Sequence, residues 1–386
     1  MTTALMNNYK RQAVNFVRGE GVYLYDDSGK RYLDGLAGIA VCGLGHAHPE
    51  LVQALAKQAQ TLWHVSNAFE IPGQESVART LCQLSGMERA FFCNSGTEAN
   101  EAALKLTRLH ARQRNIEHPL VLTFQGSFHG RTFGAMSATG NAKIRNGFEP
   151  LLDSFAYLPY NDLDAVKAIA SDPNIVAVML EGIQGEGGIH LADRDFVRGL
   201  RELCDKHGWL LIFDEIQAGL CRTGKWFNYQ HHDILPDIVT LAKGLGNGMP
   251  VGACLARGQA AHYFQPGMHG TTFGGNPLAM RIVEETLAIY QRDNLCERAR
   301  TLGDHLRQQI ESKLKPLENI VAIRGQGLMV GIELARPIDN LVQLGLEHGI
   351  VFNVTADKVI RLLPALVISE IQIDEIVEIL QKIIEI

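Results

Sequence analysis

Apolar positions along the chain follow two alternating rhythms. Short unbroken runs at Phe91–Cys93, Leu120–Phe124, Ile175–Glu181, Leu210–Asp214, Ile238–Leu241 and Val251–Ala256 predict strands buried on both faces. Between them, apolar residues recur at helical spacing. Ala102, Ala103, Leu106 and Leu109 form a stripe from Ala99 to about Arg114, and Phe196, Leu200, Leu203 and His207 form another from about Arg194 to His207, where Gly208 predicts a C-cap. Strand–helix alternation from about residue 49 to 275 implies an α/β unit with a mainly parallel sheet, covered by helices on both faces. Ligands of such sheets gather beyond the carboxyl ends of the strands.

The flanking segments read differently. Gly21–Tyr25 and Lys30–Asp34 enclose the turn-rich Asp26-Asp27-Ser28-Gly29, a small β unit, and Pro49 opens a helix carrying Leu51, Val52, Leu55 and Ala59. Asn276-Pro277 predicts an N-cap and first helical residue. A long helix follows, then a second with Leu295, Ala299, Leu302, Leu306 and Ile310. Arg324 to Leu334, Ile350 to Val354 and Val359 to Leu363 read as short strands, and Asp374 to Ile384 as a closing helix. At 386 residues the chain is too long for one ordinary core. The expectation is a large domain over 49–275 and a smaller α+β domain over 276–386, with residues 1–48 packing against the latter.

Composition narrows the function. A formal charge of −6 argues against a nucleic-acid surface, and no apolar run is long enough to cross a bilayer. The first eight residues lack the basic and apolar segments of a signal peptide. Seven cysteines include no Cys-x-x-Cys pair, and Cys93 and Cys254 lie in apolar runs, so a reducing, cytoplasmic setting is expected. Of fourteen histidines, the pairs His46-x-His48 and His231-His232 lack the acid and spacing of a metal-binding helix, so no metal is expected.

The candidate chemistry sits at strand ends. Lys243 follows Ile238–Leu241, and Asp214 ends the run Trp209–Phe213. An amine that can condense with an aldehyde, and a carboxylate that can keep a pyridine nitrogen protonated, are what pyridoxal 5′-phosphate (PLP) requires. Alone, each residue would read as a surface charge or a helix cap. A third feature supports the pair. Asn94-Ser95-Gly96-Thr97-Glu98 links a strand to a helix, with Gly96 permitting close approach and Ser95 and Thr97 adding hydroxyls, so a phosphate can sit on the helix N-terminus. Ser95 and Glu98 also match a capping box. Neither a Walker A nor a Gly-x-Gly-x-x-Gly pattern is present at this loop.

These segments, with Asp214-Glu215-Ile216-Gln217, Leu241-Ala242-Lys243-Gly244 and Gly270-Thr271-Thr272-Phe273-Gly274-Gly275-Asn276-Pro277, resemble class III aminotransferases from Gly21 to the last helix. Gly38-Ile39-Ala40-Val41, Gly45-His46-Ala47-His48-Pro49 and Phe128-His129-Gly130-Arg131 add a similarity to the branch that acts on N2-acetylornithine. The resemblance implies the PLP-dependent transferase fold type I and a homodimer with shared active sites. It implies that Gln217 bonds the cofactor's phenolic oxygen, that Phe128 stacks on its ring, and that Thr272 reaches the phosphate of the neighbouring subunit while Thr271 lies near substrate. Arg131 would hold the carboxylate of N2-acetylornithine and the distal one of 2-oxoglutarate. Glu186 would pair Arg361, which would take the α-carboxylate of glutamate. The chain departs from a frequent family form in having Gly182 where proline is common, which bears on the rigidity of that loop.

The expected reaction moves the δ-amino group between N2-acetylornithine and 2-oxoglutarate. Rival donors are ornithine, succinylornithine, succinyl-diaminopimelate and 4-aminobutyrate; rival classes are a PLP racemase or decarboxylase and a PLP-binding module without turnover. Leu36 to Val41 offers no acid or tyrosine to a free α-amine, which favours an acylated donor. The intact set Lys243, Asp214, Arg131 and Arg361 argues against lost catalysis.

Overall fold

Period-two alternation sorts the strand residues into two cores. In the strand Leu210–Asp214, Leu211 and Phe213 join Phe196, Val197 and Leu200 of the helix Arg194–His207. Leu210 and Ile212 point the other way, into a cluster with Ala102, Ala103 and Leu106 of the helix Gly96–Gln113. Each fully buried large apolar side chain contributes about 1.5–3 kcal/mol. A polar residue on either face would therefore be costly, which is why these strands read as unbroken apolar runs.

The computed structural model describes residues 4–385. Among them the central sheet has seven strands, in the order Arg89–Cys93, Gly252–Ala256, Ile238–Leu241, Leu210–Asp214, Ile175–Glu181, Leu120–Phe124 and Phe155–Leu158. Gly252–Ala256 is antiparallel to both neighbours, which the sequence does not foretell; the other pairings are parallel, so the sheet is mainly parallel as expected. The edge strand Phe155–Leu158 escapes a pattern reading because all four of its residues are only partly buried. The helix Gln74–Ser85, bounded by left-handed Gly73 and Gly86, escapes it because only Val77, Leu81 and Ser85 of its residues are buried.

Outside the central sheet, Ile320–Gln326, Met329–Leu334, Val359–Leu362 and Asn353–Thr355 form an antiparallel sheet. Phe16–Glu20, Tyr23–Asp26 and Arg31–Asp34 form another, which Ile350–Val351 joins in parallel beside Arg31–Asp34. The apolar run Ile350 to Val354 is thus divided between two sheets, with buried Phe352 at the break. The two ends of the chain share a sheet that sequence rhythm alone could not connect.

Candidate active site

Three strand ends converge on a cavity of about 380 Å³. Lys243 opens the turn after Ile238–Leu241 at φ 46°, a left-handed conformation that costs a non-glycine residue about 1–3 kcal/mol and here aims the side chain into the cavity. Desolvation, reinforced by the Arg361 charge, pushes the Lys243 amine down to about 8, against the opposing pull of Glu186, Asp214 and Glu181. A substantial neutral fraction at physiological pH makes this amine a competent nucleophile and proton carrier.

Asp214 is 4% exposed and held on both oxygens. Its Oδ2 accepts from Asn100 Nδ2 and lies 2.8 Å from each of Asn100 Nδ2 and His129 Nδ1; its Oδ1 accepts the Ile216 N–H at 3.1 Å. Asn100 in turn donates to the His129 carbonyl at 2.6 Å. His129 and Asn100 were not singled out by the sequence. Both lie within the quoted motifs, but their roles depend on a fold that sets them beside Asp214.

At the phosphate-loop position, the Gly96–Gln113 helix starts directly after Ser95, three residues earlier than apolar spacing predicts, because Ser95 caps it across a glycine. The capping box is only half formed. Ser95 Oγ accepts the Glu98 N–H at 3.3 Å, but the Glu98 carboxylate takes the Asn94 N–H at 2.8 Å and the Ser95 hydroxyl at 3.0 Å instead of the Ser95 N–H. Ala99 N–H goes to the Ser95 carbonyl. The amides of Gly96 and Thr97, both cavity-lining residues, have no partner within the helix. A Cβ on Gly130 would lie 2.2 Å from Thr97 Oγ1, and one on Gly96 2.7 Å from Ile216 Cδ1, so the backbones close in as far as glycine allows.

The two arginines differ. Arg361 is fully buried. Its NH1 donates to Glu186 Oε1 at 2.7 Å and Gln217 Oε1 at 3.2 Å, its Nε donates to Asn353 Oδ1 at 3.1 Å, and its NH2 has no partner. The Glu186 side chain remains 32% exposed. Arg131 is exposed at the cavity wall, 5.6 Å from the Phe128 ring centroid, with no ion pair among the described residues. The loop that carries Glu186 is tied at several points. Thr355 Oγ1 donates to the Glu186 carbonyl at 2.7 Å, Arg324 Nε to the Gly188 carbonyl at 2.8 Å, and Gln184 Nε2 to the Gln125 carbonyl at 2.8 Å. Gly182 has its own reason here: a Cβ would lie 1.8 Å from Asn228 Oδ1.

Of the residues expected from sequence, Ser95, Gly96, Thr97, Phe128, Arg131, Asp214, Gln217 and Lys243 line one cavity. Glu186 and Arg361 join it through Gln217. Thr271 is one step removed, its Oγ1 accepting from Asn94 Nδ2 and Gly274 N, each at 3.2 Å. Thr272 is exposed and does not reach the cavity of its own chain. Val41 also lines the cavity, at the end of a turn whose Ala37, Gly38, Ile39 and Ala40 all have positive φ. The site's donor set suits PLP: an amine for the aldehyde, an anchored carboxylate for the ring nitrogen, an aromatic face, and paired free amides for the phosphate.

Comparison with known proteins agrees with this geometry. The family model Aminotransferase class-III matches residues 5–384. An acetylornithine aminotransferase of Nitrosomonas europaea is 51% identical over 374 residues, covering 97% of this chain and 95% of that one. Among solved structures, an ornithine aminotransferase from Toxoplasma gondii superposes with a TM-score of 0.95 at 33% identity, covering 99% of this chain and 92% of that one. An acetylornithine aminotransferase from Elizabethkingia anophelis gives 0.88 at 34% identity, covering 98% and 96%.

Proposed function

Because this chain belongs to the class III aminotransferases, a PLP-dependent family, we propose that it transfers the δ-amino group of N2-acetylornithine to 2-oxoglutarate, a reaction of arginine biosynthesis, giving N-acetylglutamate 5-semialdehyde and glutamate. The observation that carries the reading is the pair of unequal arginines beside Lys243: Arg361 buried and already neutralised by Glu186, Arg131 exposed and unpaired. A pocket that must take a donor with no carboxylate beside the reacting carbon, and then one with a carboxylate there, needs a cation that can be covered and uncovered.

PLP, when bound, supplies an aldehyde that carries the amino group and a ring that accepts an electron pair. Lys243 would hold it covalently, and Gly96, Thr97 and Ser95 would hold its phosphate. Asp214, aimed by Asn100, Ile216 and His129, would hold a proton on the ring nitrogen. Lys243 Nζ would carry the proton from the substrate carbon that loses the amino group to the aldehyde carbon of PLP that receives it. Arg131 would orient the distant carboxylate of either substrate through a two-pronged contact. Glu186 would cover Arg361 for the acylated donor and turn away for glutamate, by side-chain rotation, since the Glu186 carbonyl is held by Thr355 and the neighbouring Gly188 by Arg324.

Ornithine as donor draws on the fold similarity to the Toxoplasma gondii protein. Against it, the segment Leu36 to Val41, which ends at the cavity wall, has no side chain to meet a free α-ammonium. A homodimer with shared sites belongs to this reading. Its support is the exposure of Trp63, Phe69 and Phe273, the last adjacent to Thr272, at 64%, 69% and 61%. The seven free cysteines suit a cytoplasmic enzyme. No helix of the described residues is long and apolar enough to cross a membrane. The test is glutamate formation from 2-oxoglutarate with a panel of acylated and free diamines. Faster turnover of ornithine or 4-aminobutyrate than of N2-acetylornithine would overturn the substrate assignment.

A further inference from the structure

Glu181 is a buried carboxylate in the cavity wall to which the mechanism above gives no task. It ends the strand Ile175–Glu181 as the register partner of Asp214 and is 5% exposed. Among the described residues it has no ion-pair partner. Its oxygens are instead divided between two loops: Oε1 accepts the Phe128 N–H at 2.9 Å and Oε2 accepts the Gly185 N–H at 3.1 Å. One loop carries Phe128 and Arg131; the other carries Glu186, the cover of Arg361. Away from the cavity the same loops meet backbone to backbone, where a Cβ on Gly187 would lie 2.7 Å from the Gly126 carbonyl and Gln184 bonds the Gln125 carbonyl. Glu181 is the tie on the cavity side.

We propose that Glu181 is a positioning residue that fixes the spacing of the two substrate-carboxylate loops, and so the geometry in which Arg131 and the Glu186–Arg361 pair engage a dicarboxylate. The demand on chemistry is specific. Two N–H donors face one side chain, so both of its terminal atoms must accept. An ionised carboxylate does this; glutamine of the same length offers one acceptor and one NH2, and the NH2 would face an N–H. One loop would be released whichever way the amide turned. The inference rests on the substrate reading above, in which both substrates present carboxylates to these loops.

The test compares wild type with Glu181→Gln and Glu181→Asp, all as PLP-loaded holoenzyme. The first readout is calorimetric affinity for glutarate, a dicarboxylate that cannot react; the second is KM and kcat for each substrate. Loss of one hydrogen bond to a buried charge should weaken glutarate binding in Glu181→Gln about tenfold. KM for 2-oxoglutarate and for N2-acetylornithine should rise by a similar factor, with kcat within about threefold of wild type. Unchanged glutarate affinity, or a fall in kcat with KM unchanged, would overturn the proposal. If Glu181→Gln fails to fold, Glu181→Asp decides. It keeps two acceptors on a shorter reach and should raise both KM values by a smaller factor, and a folded Glu181→Asp with wild-type KM values would refute the idea. A wild-type enzyme that does not bind glutarate at all would remove the dicarboxylate reading itself and this inference with it. That result is distinct from a failure confined to the variants.

Discussion

Arg361→Ala separates the two halves of the proposed reaction. In the glutamate half, the α-carboxylate would be met by the Arg361 guanidinium, whose NH2 is buried without a partner and whose NH1 is shared between Glu186 and Gln217. Removing it deletes two charge-assisted bonds, each worth about 1.5–3 kcal/mol. A loss of about 3–6 kcal/mol corresponds to roughly two to four decades in kcat/KM. In the N2-acetylornithine half no carboxylate lies beside the reacting carbon, and the variant loses the hydrogen bonds to Gln217 and Asn353 and the pairing with Glu186. That side chain is 32% exposed and can turn to water, so the cost is small, within about tenfold by the usual worth of partly exposed ion pairs. Stopped-flow measurement of the cofactor absorbance, mixing holoenzyme with each donor separately, reads the two halves independently. Equal losses in both would refute a switched Arg361. In the complementary variant Glu186→Ala, preference should move toward α-amino donors.

The remaining predictions concern the cofactor groups. Borohydride reduction of holoenzyme followed by peptide mapping should place the label on Lys243, and Lys243→Ala should lose it; a label on another lysine would sink the assignment. Since burial lowers the Lys243 pKa from its ordinary 10.5 to about 8, the neutral amine gains population as pH rises through 8, so PLP uptake by apoenzyme should climb with a midpoint near 8; a midpoint near 10 would contradict the burial argument. Asp214→Asn should keep PLP but slow single-turnover proton transfer by about one to two decades, the worth of one charge-assisted bond of roughly 1.5–3 kcal/mol, and near-wild-type rates would count against it. Thr272→Ala should weaken PLP retention, and mixing it with Lys243→Ala should restore one working site per dimer; a fully active monomer by light scattering would end that idea.

The sequence disclosed what depends on a single strand end or turn. Lys243, Asp214 and the Ser95–Thr97 loop each follow an apolar run, and runs of that length ending in polar residues mark the carboxyl edge of a parallel sheet. Arg361 can be read in the same way, as a charge inside the apolar strand Val359–Leu362, where it is costly unless paired. What could not be read depends on register between distant strands. Asp214 and Glu181 become neighbours only because Leu210–Asp214 pairs with Ile175–Glu181 residue for residue. Asn100 and His129 reach one Asp214 oxygen from a helix and a loop some thirty residues apart. A usable signal did exist for Glu181: an acid closing a strand otherwise made of Ile, Val, Ala, Met and Leu repeats the pattern that exposed Asp214. The split of Ile350 to Val354 between two sheets has no such signal, since either sheet would accept those residues.

Backbone amides around the site are used in two ways. At the carboxyl edge of the sheet, loop amides are taken up by side-chain carboxylates. Glu181 takes those of Phe128 and Gly185, Glu215 those of Asn228 and Tyr229, Asp214 that of Ile216, and Glu98 that of Asn94. Burial pushes both Glu181 and Glu215 up from the usual carboxylate range, and the two N–H bonds that each accepts pull back toward the ionised form. The amides of Gly96 and Thr97 stand instead at the positive end of an eighteen-residue helix, where a phosphate gains from both hydrogen bonding and the helix dipole. With the phosphate held there, Lys243 and Asp214 would meet the other end of the group. The two ends of the cavity would in this way set the cofactor's orientation.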